Sequence, residues 1–185
     1  MYSRKEIFSI PNIIGYFRIL LIPVFMYIYI TAKSASDYYL AAAIVLVSTF
    51  SDLFDGLIAR KFNMITELGK LIDPLADKLS HAAMIVCLLT RYSLMWLFLG
   101  VFVVKEGFML IMGLIMLRHN GKKLDGAMWF GKVCTAVLFL SMFALFLLPA
   151  LDTGIVNILI YCCTGIMLLT LILYIPVFSK MYKEQ

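Results

Sequence analysis

Four aspartates stand in two pairs within a short stretch of an otherwise apolar sequence. The segment 51–78 reads SDLFDGLIARKFNMITELGKLIDPLADK and contains Asp52, Asp55, Asp73 and Asp77. The first two are three residues apart and the last two are four residues apart, so each pair shares one face if its segment is helical. Carboxylates arranged in this way can bind metal ions or line a path for ions or protons.

A hairpin of two antiparallel helices, joined by residues 61–69, would bring the two pairs together. Counted outward from that connection, Asp52 lies at about the depth of Asp77. Asp55 lies in the same way at about the depth of Asp73. At a rise of 1.5 Å per residue, all four carboxylates would fall within roughly 12 Å of that end of the hairpin.

Four converging carboxylates in an apolar chain need cations. Each aspartate deep in a membrane costs about 2.5–3.5 kcal/mol, and the four also repel one another. Arg60, Lys70 and Lys78 are near in sequence but could point outward. Hard divalent cations suit an all-carboxylate cage, which favours two Mg²⁺ or Mn²⁺ ions and phosphoryl chemistry. From the residues alone, a salt-bridged hairpin and an ion or proton pathway remain open as alternatives.

The elements that must position these acids are predicted to be membrane-spanning helices. The chain has 185 residues, of which 63% are hydrophobic and 15% charged, and its mean hydropathy is +0.98. A span needs about 20 apolar residues, so the chain predicts an all-α, polytopic membrane bundle of six helices. The predicted spans are Ile13–Thr31, Tyr38–Arg60, Lys70–Thr90, Leu94–Leu117, Met128–Leu148 and Ile155–Phe178.

The whole chain, residues 1–185, is predicted to form a single membrane domain. The segment Met1–Asn12 is short and amphipathic, so it could lie on the membrane surface. The first span is long and is not followed by a small-residue cleavage site, so we do not expect it to be a cleaved signal peptide. Four cysteines lie within apolar spans without CxxC spacing, so we expect neither a zinc site nor disulfides. Asn12, directly after Pro11, is predicted to cap the first helix.

Basic residues are unevenly divided between the two sides of the predicted bundle. The flanks of one side carry Arg4, Lys5, Lys61, Arg118, Lys122, Lys123, Lys180 and Lys183. The other side carries Lys33 and Arg91. The positive-inside rule therefore predicts that both termini, and with them the acids, are cytoplasmic. The net charge of +5 fits anionic headgroups, and we expect no nucleic-acid partner.

The spacing of the motif resembles the signature of the CDP-alcohol phosphotransferases. The matching residues are Asp52, Asp55, Gly56, Ala59, Arg60, Gly69, Asp73 and Asp77. The resemblance implies a metal-dependent membrane enzyme of a plasma or inner membrane, usually a homodimer, which attacks a CDP-linked lipid and releases CMP. It makes the cation or proton transporter a minor alternative.

The resemblance also implies roles for the residues of the signature. The four aspartates would hold two divalent ions, and Asp77 would also be the catalytic base on the acceptor hydroxyl. Gly56, Ala59, Arg60 and Gly69 would contact the CDP part. The small residues would leave room for a phosphate at the helix surface, and Arg60 could grip a phosphate oxygen.

The segments 10–25, 73–78 and 129–135 resemble the bacterial phosphatidylglycerophosphate synthases and the related cardiolipin synthases. This favours CDP-diacylglycerol as donor and glycerol 3-phosphate as acceptor, with Lys105, Arg118 and Lys132 as acceptor-binding candidates. Two cations expected in that branch are missing, at Ile115 and Cys134. Phosphatidylglycerol, as in a cardiolipin synthase, or the acceptor of another family member is therefore an alternative.

Two further polar residues stand within predicted spans, and we expect structural roles for both. Arg18 lies in the first turns of span 1, where it could hold neighbouring carbonyls or an acid. His81 continues the face of Asp73 and Asp77 by one more turn, where we expect a supporting or packing role.

Overall fold

A computed structural model of the chain describes residues 8–61, 66, 68–120 and 128–183. The side chains of residues 53, 55, 56, 58–60, 70, 71 and 120 lie outside this description. All regular elements in the described ranges are α-helices. They are α1 (Ile10–Ile30), α2 (Ala35–Lys61), α3 (Gly69–Leu89), α4 (Met95–Asn120), α5 (Trp129–Leu147) and α6 (Thr153–Lys183).

The six predicted spans correspond to these six helices, so the all-α membrane prediction is confirmed. Four helices, α1, α4, α5 and α6, are long and apolar enough to cross a membrane. The helices α2 and α3 have 27 and 21 residues, but the polar residues of the signature make them less apolar. Both helices nevertheless expose large apolar side chains, such as Phe50 and Leu75. The protein is a multi-pass membrane protein.

One compact unit contains α1, α2 and α3, together with residues 146–149. Within it, α1 packs against both α2 and α3. The buried face of α1 carries Gly15, Arg18, Phe25 and Tyr29, which recur at helical spacing. The buried stripe of α2 consists of Ala41, Val45 and Ser48. Small side chains let membrane helices approach closely, and this stripe continues at the same spacing to Asp52.

At the end of this unit remote from the signature, contacts of Arg91 and of three aromatic rings stabilise the packing. Arg91 donates a 2.6 Å hydrogen bond to the carbonyl of Pro149, and its guanidinium carbon lies 4.7 Å from the centroid of the Tyr38 ring. The ring of Tyr29 packs against both Tyr38 and Phe146, with centroids 5.0 and 4.1 Å away. These contacts tie α1, α2 and the chain after α3 together.

The turn between α1 and α2 carries its own cap. The carboxylate of Asp37 accepts hydrogen bonds from the backbone N–H groups of Lys33 and Ser34, at 2.8 and 2.9 Å. These bonds stabilise the ionised form, so they lower the pKa of Asp37 below its usual value. The side chain is partly exposed, which fits a position at the membrane surface.

The second compact unit contains α4, most of α5, and α6. Within it, α4 packs against α6. The contact buries Met116, Tyr174 and Phe178, with Phe108 and Met112 packed around them. A Cβ at Gly131, in the first turn of α5, would overlap the hydroxyl group of Tyr174. Glycine at this position therefore lets the start of α5 lie directly on α6.

Candidate active site

Arg18 joins two of the four signature aspartates. Its two terminal nitrogens donate separately, one to Oδ1 of Asp52 and the other to Oδ1 of Asp77. Asp52 lies on α2 and Asp77 lies on α3, so three helices meet at one guanidinium. The prediction that these two acids lie at matched depths is confirmed, because one planar group reaches both.

Burial differs sharply between the cation and its two partners. Arg18 is only 3% exposed. The side chains of Asp52 and Asp77 remain 34% and 47% exposed. A buried guanidinium is stable only when its charge is paired, and here both partners are anions. The carboxylates, by contrast, keep a face that a ligand can reach.

The helices α1 and α3 run parallel along the site, in matched register. Asn12 lies beside Gly69, and a Cβ on that glycine would stand 2.8 Å from the Asn12 side-chain oxygen. Three residues further along α1, a Cβ on Gly15 would stand 2.8 Å from Cγ2 of Ile72 and 3.7 Å from Oδ1 of Asp73. One turn further along both helices, Arg18 of α1 forms an ion pair with Asp77 of α3. Both helices therefore advance in the same direction past the acids.

Asn12 does not cap α1, so that prediction is wrong. The helix already begins at Ile10, and Ser9 occupies the cap position. Asn12 is 1% exposed and accepts a 3.1 Å hydrogen bond from the hydroxyl group of Thr66. That hydroxyl in turn accepts a 2.9 Å bond from the backbone N–H of Gly69. Asn12 thus ties the start of α1 to the start of α3.

His81 lies on the same face of α3, one turn beyond Asp77. Its Nδ1 is 2.8 Å from the backbone carbonyl oxygen of Asp77. A carbonyl can only accept, so Nδ1 carries the proton and donates it. The ring therefore supports the backbone of α3 at Asp77, as expected for a supporting role.

Several predicted site residues have only their backbone described. Asp55, Gly56, Ala59 and Arg60 belong to α2, but their side chains lie outside the described part of the chain. Asp73 is half-buried on α3, one turn before Asp77. Among the described side chains, no group of three or more His, Cys, Asp or Glu residues could hold a metal ion.

The donor set nevertheless fits a hard divalent cation. The groups that converge on the guanidinium of Arg18 are carboxylates from two helices, and Asp73 stands beside them. Anionic oxygens are the ligands that Mg²⁺ and Mn²⁺ prefer. A site that already gathers such oxygens around one positive charge has the chemistry to bind another cation.

The three candidate acceptor residues fall into different settings within the second unit. Lys105 is 6% exposed and donates a 2.6 Å hydrogen bond to the carboxylate of Glu106. Arg118 is exposed in the last turn of α4, and Lys132 is exposed in the first turns of α5. Lys105 and Arg118 are separated by 13 residues, about 20 Å along the helix. One small acceptor could not easily contact both.

Comparison with known proteins decides among the chemistries that these carboxylates allow. Residues 8–177 match the sequence model of the family described as CDP-alcohol phosphatidyltransferase. The chain belongs to this family. It is therefore a membrane transferase of phospholipid biosynthesis and not a transporter.

Two bacterial relatives match over most of both chains. A CDP-diacylglycerol--glycerol-3-phosphate 3-phosphatidyltransferase from Escherichia coli strain K12 is 31% identical over 137 residues, which cover 73% of this chain and 75% of the relative. The protein of the same name from Shigella flexneri serotype 5b is 29% identical over 164 residues, or 88% of this chain and 90% of the relative.

A third relative is a cardiolipin synthase (CMP-forming) / mitochondrial hydrolase fusion protein from Schizosaccharomyces pombe. It is 37% identical over 119 residues, which are 63% of this chain. This chain matches only 19% of the length of the fusion protein. Both branches that the sequence resembles thus have a relative among the matches.

Proposed function

We propose that this protein transfers the phosphatidyl group of CDP-diacylglycerol to glycerol 3-phosphate and releases CMP. The observation that carries the proposal is the meeting of Asp52 and Asp77, from two helices of a CDP-alcohol phosphatidyltransferase, at one buried guanidinium. The choice of acceptor is supported by the Escherichia coli and Shigella relatives, whose names specify glycerol 3-phosphate.

In this proposal, Asp52, Asp55, Asp73 and Asp77 hold two divalent ions, Mg²⁺ or Mn²⁺. When bound, the ions would neutralise the pyrophosphate and stabilise the charge that develops on the departing CMP. The carboxylate oxygens of α2 and α3 supply the ligand type that such ions need.

Asp77 acts as the general base. It takes the proton of the acceptor hydroxyl, whose oxygen then bonds to the lipid-linked phosphorus of CDP-diacylglycerol. The bond from that phosphorus to the bridging oxygen breaks, and CMP leaves with this oxygen. The 47% exposure of the Asp77 side chain supports this role, because an acceptor can reach it while Arg18 keeps it oriented.

The CDP part is proposed to lie along Gly56, Ala59, Arg60 and Gly69. Small residues let a phosphate approach the helix backbone, and an arginine can hold two of its oxygens at once. Gly69 is already in close contact with Asn12 and Thr66. These two polar side chains would therefore border the nucleotide end of the site.

The acceptor is proposed to contact Arg118 and Lys132, and Lys105 is the third candidate. Arg118 lies in the last turn of α4 and Lys132 in the first turn of α5, so both are near the same connection in the sequence. Their exposed cationic groups suit a dianionic glycerol 3-phosphate. Lys105 shares its charge with Glu106, which leaves less positive charge for an acceptor in that part of α4.

Phosphatidylglycerol is the second candidate acceptor. The internal pairing of Lys105 favours it, because phosphatidylglycerol carries less negative charge than glycerol 3-phosphate. The similarity to the cardiolipin synthase region of the Schizosaccharomyces pombe protein supports the same alternative.

We further propose that the chain forms one domain and works as a homodimer, with both termini and the aspartates on the cytoplasmic side. The family match runs through both compact units, which supports a single domain. The uneven distribution of basic residues supports the orientation. The family usually forms homodimers, which is the basis of the dimer proposal.

Release of CMP tests the reaction directly. The purified protein would be incubated with CDP-diacylglycerol, Mg²⁺ or Mn²⁺, and each of glycerol 3-phosphate, phosphatidylglycerol, serine and inositol phosphate. We expect CMP and a phosphatidylglycerophosphate product with glycerol 3-phosphate. Product with phosphatidylglycerol alone would assign the protein to cardiolipin synthesis, and no CMP with any acceptor would refute the proposed reaction.

A further inference from the structure

The side chain of Arg18 is a buried cation that takes part in no bond-making or bond-breaking step of the proposed reaction. Both terminal nitrogens bind signature carboxylates, whereas Nε is buried without a hydrogen-bond partner. The group is therefore held by the acids of α2 and α3 and not by its own helix. Its position is specified by the site.

The position of Arg18 is also fixed from the side of α1. Gly15, one turn earlier, lies against Ile72 and close to Asp73, so the backbone of α1 is in close contact with α3 just before the ion pair. Phe25 and Tyr29 anchor the other end of the helix and are each 1% exposed. A helix held at both sides of Arg18 keeps the guanidinium between the two carboxylates.

One guanidinium does not neutralise the four aspartates of the signature. It satisfies one oxygen of Asp52 and one of Asp77, and Asp73 stands nearby with a further negative charge. Arg18 supplies one positive charge to these carboxylates, and their exposed faces can still bind a further cation. A divalent ion that binds there has to share the same oxygens with a cation that is already present.

We propose that Arg18 is a positioning residue that acts as the built-in cation of the aspartate site. It spaces Asp52 and Asp77 while no metal is bound, and it competes with divalent ions for their oxygens. Arg18 thereby sets the metal concentration at which the site fills. The inference rests on the proposed function, since it takes these carboxylates to be the metal ligands.

Removal of the guanidinium should have two opposite effects. Without metal, the carboxylates of α2 and α3 lose their counter-charge and repel each other, so the variant should unfold at a lower temperature. With metal, the competing charge is gone, so the ion should bind more tightly and stabilise the fold by a larger amount. A residue needed only for packing would produce the first effect without the second.

The test is a Mn²⁺ titration of the full-length protein in detergent without substrates, in which electron paramagnetic resonance counts free Mn²⁺. We expect Arg18→Gln to bind Mn²⁺ at least about tenfold more tightly than the unsubstituted protein. Thermal unfolding should start lower without Mn²⁺ and rise further when Mn²⁺ is added. Arg91→Gln is the matched control, because it removes the same charge at the remote end of the same unit and should leave Mn²⁺ affinity unchanged.

Equal or weaker Mn²⁺ binding by Arg18→Gln would overturn the inference. If that variant does not fold, Arg18→Lys decides, since a single ammonium group cannot serve both carboxylates as a planar guanidinium does. It should bind Mn²⁺ a few fold more tightly than the unsubstituted protein, and unchanged affinity would refute the inference.

An unsubstituted protein that binds no Mn²⁺ would refute this inference and the proposed metal site together. Failure of CMP release with normal Mn²⁺ behaviour would refute the reaction alone.

Discussion

Asp77 is held by two different groups at opposite ends of the residue. Its carboxylate accepts a hydrogen bond from Arg18, and its backbone carbonyl accepts one from the ring of His81 at 2.8 Å. A general base has to present an oxygen at a fixed place, and these two contacts restrict both the side chain and the helix that carries it. Asp77 is therefore oriented before any substrate arrives, as its proposed role as the base requires.

We expect Asp77→Asn to abolish turnover while CDP-diacylglycerol binding is largely kept. The amide oxygen can still accept the hydrogen bond from Arg18, but the group cannot take the proton of the acceptor. The loss of a general base lowers kcat by about 10²–10⁴-fold, which CMP release would measure. Binding would be followed separately with a labelled CDP-lipid.

Asp37→Asn is the control for Asp77→Asn. It removes the same charge from a carboxylate in the first turn of α2, at the end remote from the signature, and it should leave kcat unchanged. Normal turnover by Asp77→Asn would show that another group is the base.

At the scale of the element, α1 forms the third wall of the site. The sequence motif lies entirely on α2 and α3, but α1 contributes Asn12, Gly15 and Arg18 at intervals of three residues. These residues lie beside Gly69, Asp73 and Asp77 in the same order. The register between the two parallel helices decides whether the guanidinium reaches both acids.

We expect Gly15→Ala to disturb this register. The new methyl group would stand 2.8 Å from Cγ2 of Ile72, which is fixed to a stiff β-branched carbon, so one helix must move. Overpacking of this kind costs about 1–3 kcal/mol. The thermal unfolding temperature and kcat should both fall.

Gly165→Ala on α6 is the matched control at this scale. A Cβ there would meet no other helix among the described residues within 4 Å, and alanine is favoured over glycine in a helix by roughly 0.5–1 kcal/mol. The control should be neutral or slightly stabilising. Equal behaviour of the two variants would mean that α1 and α3 are not in close contact at Gly15.

At the scale of the whole molecule, the charge distribution predicts which side of the membrane the acids face. In the predicted topology, the signature end of α2 and α3 shares its side with most of the flanking lysines and arginines, whereas the α1–α2 turn carries Lys33. A cytoplasmic site would suit the proposed reaction, because the released CMP is a soluble nucleotide.

Cysteine labelling tests this orientation. In a variant whose four native cysteines are replaced by alanine, Ser36→Cys should react in intact cells with a membrane-impermeant thiol reagent. Lys183→Cys should react only after the membrane is permeabilised. The reverse pattern would place the aspartates on the outer side and contradict the proposed orientation.

The sequence by itself determined the helical architecture and the residues of the signature. The positions of the spans and turns follow from the lengths of the apolar stretches, because a backbone in lipid must satisfy its own hydrogen bonds and therefore forms helices. The observed helices begin and end within a few residues of the predicted spans. The matched depth of Asp52 and Asp77 followed from helix spacing alone. The family followed from the identity and offsets of the motif residues.

Tertiary structure alone decided the role of α1. An arginine within an apolar helix has many possible partners in sequence, and no spacing rule links residue 18 to residues 52 and 77, because they come together only when three helices pack. The same reason explains Asn12. The local sequence predicted that it caps α1, whereas in the packed structure its side chain binds Thr66, next to the start of α3. Local periodicity therefore placed the acids on helices, while the close approach at Gly15 and Gly69 placed a buried cation between them.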